Sequence, residues 1–208
     1  MKKTFGSHFS TAGLILLAAF FWWLNFGLQV CNFWLGMAIA ASVLAALSIR
    51  VGGNPFAGSW AGSAVLTRGI LSAAALYGIF ALGNALSSLL FSFGPEQVSS
   101  IYAIRLEGPS WVIALVLLFV TSPAEEIFWR GFIQRHFMEK MGDLCGWLAA
   151  SAVYAAIHIS SGNIMLVLAA LVAGLFWGWL YMKTRDLRAC ILSHALWTVA
   201  VFILWPLA

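Results

Sequence analysis

Two adjacent glutamates, Glu125 and Glu126, follow directly after an apolar run that predicts a membrane-spanning helix. A charge near the middle of such a helix costs about 2.5–3.5 kcal/mol on insertion scales, so each carboxylate needs compensation. Arg130 follows Glu126 by one helical turn and can neutralise it as an i, i+4 ion pair. Glu125 lies about 100° away around the helix without such a partner, which makes it the candidate reactive carboxylate.

Counting residues predicts a partner for Glu125 on the following helix. From Glu125 the chain continues about 15 residues, roughly 22 Å of helix, to a turn at 141–143, and the next helix returns by a similar distance to His158. A carboxylate facing an imidazole in a partly dry cavity is the pair that general-base chemistry on water requires. The alternative is a Glu–His contact that only fixes two helices together. Tyr154, one turn before His158, either orients this histidine or merely packs.

A second histidine, His194, lies on the last apolar run, with Thr198 one turn further along the same helix face. Both side chains can donate hydrogen bonds in one direction, as stabilisation of an oxyanion requires. If the helices are straight, counting their rise places His194 well below His158 along the bundle axis. We expect that difference to shrink if residues 130–143 extend beyond the membrane.

The amino-acid composition indicates whether these residues belong to a soluble or a membrane protein. Of 208 residues, 62% are hydrophobic and 9% are charged, whereas soluble domains carry about 45–50% apolar and about 25% charged residues. The sequence therefore predicts an all-α, polytopic integral membrane protein. Its three cysteines are far apart in apolar surroundings and are interpreted as packing residues. The basic residues form no patch, so we expect no nucleic-acid partner.

About seven transmembrane helices in one bundle account for the apolar runs. The bundle is expected to form a single domain, 1–208, in which residues 110–200 make a motif-bearing core. Glycine, asparagine and proline at 52–55 predict a loop over 50–68. The expected spans lie near 12–24, 32–49, 69–93, 110–140, 144–159, 164–182 and 189–205.

The basic residues orient the bundle. Successive loops of a membrane protein lie on alternate sides of the bilayer. With the loops assigned in this way, Arg105 is the only lysine or arginine on one side, so the positive-inside rule predicts a cytoplasmic N-terminus. The other side collects Lys2, Lys3, Arg50, Arg68, Arg135, Lys140, Lys183, Arg185 and Arg188.

Three motifs in order resemble those of the CPBP family, the intramembrane proteases that include CAAX prenyl endopeptidases and bacteriocin-processing and self-immunity proteins. Glu125-Glu126-Ile127-Phe128-Trp129-Arg130 matches the family's EExxxR, and Tyr154-Ala155-Ala156-Ile157-His158 matches its FxxxH with tyrosine for phenylalanine. The segment from His194 to Thr198 matches HxxxN in the histidine but ends in threonine.

The resemblance implies a glutamic-type endopeptidase and assigns roles to these residues. It places Glu125 and His158 at the activation of a water and His194 with Thr198 at the oxyanion. The supporting residues are Glu126, Arg130 and Tyr154.

A metal-free site is the favoured interpretation, with no cofactor. Zinc is the alternative, because Glu125, His158 and His194 would supply an adequate set of ligands. There is no HExxH motif in the sequence.

The predicted function is hydrolysis of a peptide bond in a membrane-anchored or lipid-associated substrate. The resemblance implies a prenylated CAAX-type tail, a bacteriocin leader or a C-terminal sorting signal. The short loops favour a bacterial inner-membrane enzyme. The alternative is a non-catalytic self-immunity or partner-binding membrane protein, which Glu125→Gln would distinguish.

Overall fold

The computed structural model describes residues 4–56 and 62–207, with side chains from residue 11 onward. Lys2, Lys3 and part of the predicted loop, residues 57–61, lie outside the described residues.

The first helices are α1 (Thr4–Trp22), which continues as a π turn over Trp23–Gly27, α2 (Phe33–Gly52), α3 (Gly62–Leu90) and α4 (Gly94–Ala103), which continues as a 3₁₀ turn over Ile104–Glu107. The later helices are α5 (Ser110–Val116), α6 (Ser122–Phe128), α7 (Arg135–Met141), α8 (Asp143–Ile157), α9 (Ile164–Thr184) and α10 (Leu187–Val199).

The predicted membrane architecture is confirmed. In the described ranges, six helices are long and apolar enough to cross a bilayer, and a shorter apolar helix over Thr11–Gly27 precedes them. This agrees with an all-α bundle of about seven spans. Lipid leaves no other partner for backbone N–H and C=O groups, so a chain this apolar satisfies them within helices.

One boundary differs clearly from the sequence prediction. The helix α3 begins at Gly62 rather than near residue 69, so Arg68 belongs to a helix and not to the preceding loop. The turn chemistry is confined to residues after α2, where Gly53 adopts a φ of 76°. No proline lies between Gly62 and the end of α3, and the helix therefore extends past the apolar run.

The helices α5, α6 and α7 form one continuous helix over Ser110–Met141 that carries the EExxxR motif. Two π turns interrupt it, over Leu117–Thr121 and Trp129–Gln134, on either side of α6. Such π turns occur frequently at functional sites. At 32 residues the helix is about 48 Å long, and it exceeds the bilayer core as the sequence suggested.

The helix α9 approaches its neighbours closely through two glycines. A Cβ atom on Gly178 would lie 2.6 Å from Cδ1 of Trp147, and one on Gly174 would lie 3.1 Å from Cδ1 of Tyr154. These small residues allow α8 and the second π turn to pack against α9. The close packing holds Tyr154 against the motif-bearing helix.

The helix α1 packs on this core from the other side. Its Trp22 is almost completely buried and meets Trp129 edge to face, with ring centroids 6.3 Å apart. The first helix therefore reaches the same cluster as the EExxxR and FxxxH segments.

Candidate active site

Most of the polar residues singled out by the sequence line one cavity between the helices. Its volume is about 140 Å³, and most of its wall is apolar. Glu125 on α6, His158 after α8 and His194 on α10 line it, together with Tyr154, Thr198 and Ser122. Because one water in the liquid occupies about 30 Å³, the cavity has room for several water molecules.

Glu125 receives its hydrogen bond from Tyr154. The tyrosine hydroxyl donates to Oε2 of Glu125 over 3.3 Å. Counting residues predicted that His158 lies at the same height as Glu125. The residue that contacts Glu125 is Tyr154, which precedes His158 by four residues, so the predicted height is correct to about one helical turn. Glu125 and His158 line the same cavity, but the described residues include no direct hydrogen bond between these two side chains.

Both ring nitrogens of His158 are engaged. Its Nδ1 lies 2.8 Å from the carbonyl oxygen of Tyr154, which can only accept, so Nδ1 carries the proton. Its Nε2 then accepts from the indole N–H of Trp22 over 3.1 Å. These two contacts assign a neutral imidazole with a defined tautomer. They also bring a residue of α1 into the site.

Glu126 and Arg130 lie behind the cavity wall and form the predicted i, i+4 ion pair. Nη1 of Arg130 lies 2.9 Å from Oε1 of Glu126, and both side chains are at least 97% buried. The same carboxylate oxygen accepts from Nδ1 of His194 over 2.8 Å. Glu126 therefore joins α6 to α10 as well as compensating Arg130.

Aromatic rings complete the surroundings of this charged group. The indole of Trp177 stacks on His194 with centroids 3.9 Å apart and an interplanar angle of 19°. The guanidinium of Arg130 lies over the rings of Tyr154 and Trp177, at 4.9 Å and 5.4 Å from their centroids. Cation–π contacts of this kind stabilise a desolvated cation by about 2 kcal/mol or more.

Thr198 is turned toward its own helix and toward Ser122. Its Oγ1 lies 2.9 Å from the carbonyl oxygen of His194 and 3.2 Å from that of Ala195. Ser122 Oγ is 3.1 Å from Thr198 Oγ1. Because a threonine hydroxyl has one proton, its bond to a main-chain carbonyl leaves none for another acceptor.

Trp22, Ser122 and Trp177, cavity residues that contact the predicted site residues directly, were missed by the sequence analysis. Trp22 and Trp177 belong to apolar runs in which tryptophan is unremarkable, so no sequence signal marked them. Ser122 had a local signal, since it precedes Glu125 by three residues and therefore shares its helix face.

The zinc alternative requires a free lone pair on each histidine ligand. Nε2 of His158 accepts from the Trp22 N–H, so a zinc ion, like a water, would bind there only if Trp22 released that nitrogen. Within residues 4–56 and 62–207, no group of three or more His, Cys, Asp or Glu side chains is arranged to hold a metal ion.

The fold and the cavity define a polytopic helical membrane protein with carboxylate and imidazole groups inside the bundle. Residues 107–200 match a family model described as "Rce1-like: Type II CAAX prenyl endopeptidase Rce1-like". The match confirms the resemblance based on the three motifs and supports an intramembrane protease of the CAAX type. No curated protein and no solved structure matches the chain.

Proposed function

We propose that this protein is an intramembrane endopeptidase of the bacterial inner membrane that hydrolyses a membrane-associated polypeptide with a water activated by Glu125 and His158. The observation that carries the proposal is the convergence of Glu125, His158 and His194, from three separate helical segments, on one largely apolar cavity. Ionisable side chains inside a membrane-spanning bundle cost free energy, and a catalytic role would explain why three of them line this cavity.

In the proposed first step, the water oxygen bonds to the scissile carbonyl carbon while one water proton passes to the Glu125 carboxylate. The Tyr154 hydroxyl, 3.3 Å from Oε2, holds that carboxylate in place. When the C–N bond breaks, Glu125 returns the proton to the departing amine, which balances the hydrolysis. His158 holds the water through Nε2, which requires the Trp22 N–H to share or release that nitrogen.

The oxyanion is assigned to His194. Its Nδ1–H donates to Glu126, so Nε2 is the nitrogen that remains for the substrate. Donation from Nε2 to the oxyanion requires a proton on that nitrogen in addition to the Nδ1–H that Glu126 accepts. Thr198 is a weaker candidate for this task because its hydroxyl is committed to main-chain carbonyls.

A membrane-peptide library tests the proposal with the purified protein in detergent. Glu125→Gln should lower cleavage by about 10²-fold or more, the usual contribution of a general base, while the protein stays folded. Glu139→Gln, which removes an exposed carboxylate remote from the cavity, is the matched control and should retain activity. A strong chelator should leave cleavage unchanged.

The outcomes separate the alternatives. Loss of cleavage on chelation would favour zinc. Full cleavage by the Glu125→Gln variant would overturn the glutamate mechanism. If the wild-type protein cuts no peptide and the Glu125→Gln variant unfolds, the result would favour the non-catalytic self-immunity or partner-binding role.

A further inference from the structure

The basic residues gather at one end of the bundle, where they tie its turns together. Arg135 donates to the Gly52 carbonyl oxygen over 2.6 Å, and Arg185 pairs with Asp143 over 2.6 Å. Arg188 also donates to the carbonyl oxygen of Phe56 over 3.4 Å, and together these contacts join the segments 52–56, 142–143 and 185–188, which we call the basic end.

The opposite end is held together by hydrogen bonds of asparagine, glutamine and glutamate rather than of lysine or arginine. Asn32 donates to the carbonyl oxygen of Glu107 over 2.7 Å, and Asn163 donates to that of Gln97 over 2.8 Å. Arg105 is the only lysine or arginine of the described residues that belongs to this end. The structure therefore has strongly unequal numbers of basic residues at its two ends.

The cavity lies toward this opposite end. Phe33 and Trp34, at the start of α2, and Ile104, after α4, are part of its wall. The helix α8 continues as a 3₁₀ turn over His158–Ser161, so His158 lies only about 5 Å from its end at Ser161. Tyr154 is eleven residues, about 16 Å, from the other end at Asp143. None of the described segments that make up the basic end lines the cavity.

The positive-inside rule relates this asymmetry to the membrane. Loops rich in lysine and arginine stay in the cytoplasm, and acidic residues contribute little to that choice. We propose, resting on the proposed protease function, that the site works in the extracytoplasmic half of the membrane. Its substrate is a translocated polypeptide whose scissile bond lies at the extracytoplasmic end of an apolar anchor.

This placement separates the substrate classes that the sequence left open. A lipid-modified tail of a cytoplasmic protein would approach the basic end, from which Tyr154 and Glu125 are separated by about eleven residues of α8. A secreted precursor or a translocated C-terminal signal reaches the cavity from the nearer end. The proposal therefore favours translocated substrates over prenylated cytoplasmic tails.

Two native cysteines provide the first test. Cys31 is exposed beside the opposite end, and Cys145 is exposed next to the basic end. In intact bacterial cells that express the full chain, a membrane-impermeant maleimide should label Cys31 at once and Cys145 only after permeabilisation. Single Cys31→Ser and Cys145→Ser variants assign the two signals. The reverse pattern would overturn the proposal.

A matched pair of engineered thiols repeats the test where both side chains are charged and exposed. Glu96→Cys and Lys140→Cys, each in a background without Cys31 and Cys145, report on the opposite end and the basic end respectively. Labelling of Lys140→Cys before permeabilisation, with loss of labelling at Glu96→Cys, would contradict the inferred orientation.

A cleavage experiment then tests the sidedness of the site separately from the protease mechanism. The same apolar anchor carries one candidate peptide on either its cytoplasmic or its extracytoplasmic flank. We expect cleavage of the extracytoplasmic form, lost in Glu125→Gln. Cleavage of the cytoplasmic form would overturn the sidedness alone, whereas cleavage that persists in Glu125→Gln would overturn the glutamate mechanism and leave the thiol result standing.

Discussion

The indole nitrogen of Trp22 lies 3.1 Å from Nε2 of His158, across 136 positions of sequence. Trp22 belongs to α1, outside residues 107–200 that match the protease family model. The contact occupies the lone pair through which a neutral imidazole would hold a water. The first helix therefore controls the proton-accepting nitrogen of the candidate site.

Trp22→Phe should release this nitrogen while keeping an aromatic ring in place. We expect the ¹⁵N signal of His158 Nε2 to shift in the labelled protein, with the proton still on Nδ1, because the Tyr154 carbonyl contact is unaffected. Trp129→Phe is the matched control, since Trp129 is equally buried and its indole nitrogen has no hydrogen-bond partner in the described part of the chain. Identical spectra for the two variants would contradict the assignment.

Glu126→Gln should destabilise the fold. It leaves Arg130 as a buried cation whose ion pair is lost, which typically costs about 3–5 kcal/mol. Asp143→Asn removes the partner of the half-exposed Arg185 and should cost at most about 1 kcal/mol. The free energy of unfolding in mixed detergent micelles measures both. Equal losses would mean that Glu126 does not compensate Arg130.

Thr198→Val should reduce the cleavage rate by less than about tenfold, because the hydroxyl proton it removes is directed to main-chain carbonyls. His194→Leu, which has no polar atom, should reduce it by about 10²-fold or more, as loss of an oxyanion donor does. Initial rates at saturating substrate compare the two. A larger loss for Thr198→Val than for His194→Leu would transfer the oxyanion role to the threonine.

Gly178→Ala should destabilise the α8–α9 contact by about 1–3 kcal/mol, since its Cβ would lie 2.6 Å from Trp147. Gly78→Ala, in the middle of α3, meets nothing within 4 Å and should stabilise the helix by about 0.5–1 kcal/mol. Thermal unfolding of the two variants should therefore change in opposite directions. A Gly178→Ala protein as stable as wild type would show that α9 shifts without cost.

Relationships within one helix or one helix pair were predictable from the sequence. The Glu126–Arg130 pair follows from helical periodicity, and the level of His158 follows from counting through the turn at Gly142. The basic residues and the long apolar runs were sufficient to predict the bundle.

Contacts between distant helices were not predictable in this way. The Trp22–His158 and Glu126–His194 contacts depend on how helices pack, and a uniformly apolar surface gives no periodic signal for that packing. Counting placed His158 level with Glu125, and the two side chains line the same cavity, but the hydrogen bond to Glu125 comes from Tyr154, one turn earlier. The count treated both helices as regular and parallel, whereas the stretch from Glu125 to the turn contains a π turn over Trp129–Gln134.

The two π turns on either side of α6 absorb residues without changing the direction in which α6 faces. A π turn fits one extra residue into a turn, so removing a single residue from Leu117–Thr121 would let that turn close as α-helix and leave Glu125 close to its present direction. Removing a residue from the regular helix α5 instead would rotate everything after it by about 100°, and Glu125 would leave the cavity wall although every apolar residue around it remained. In this helix the number of residues in the regular segments is as important to the chemistry as their identity, and single-residue insertions and deletions are tolerated best at the π turns.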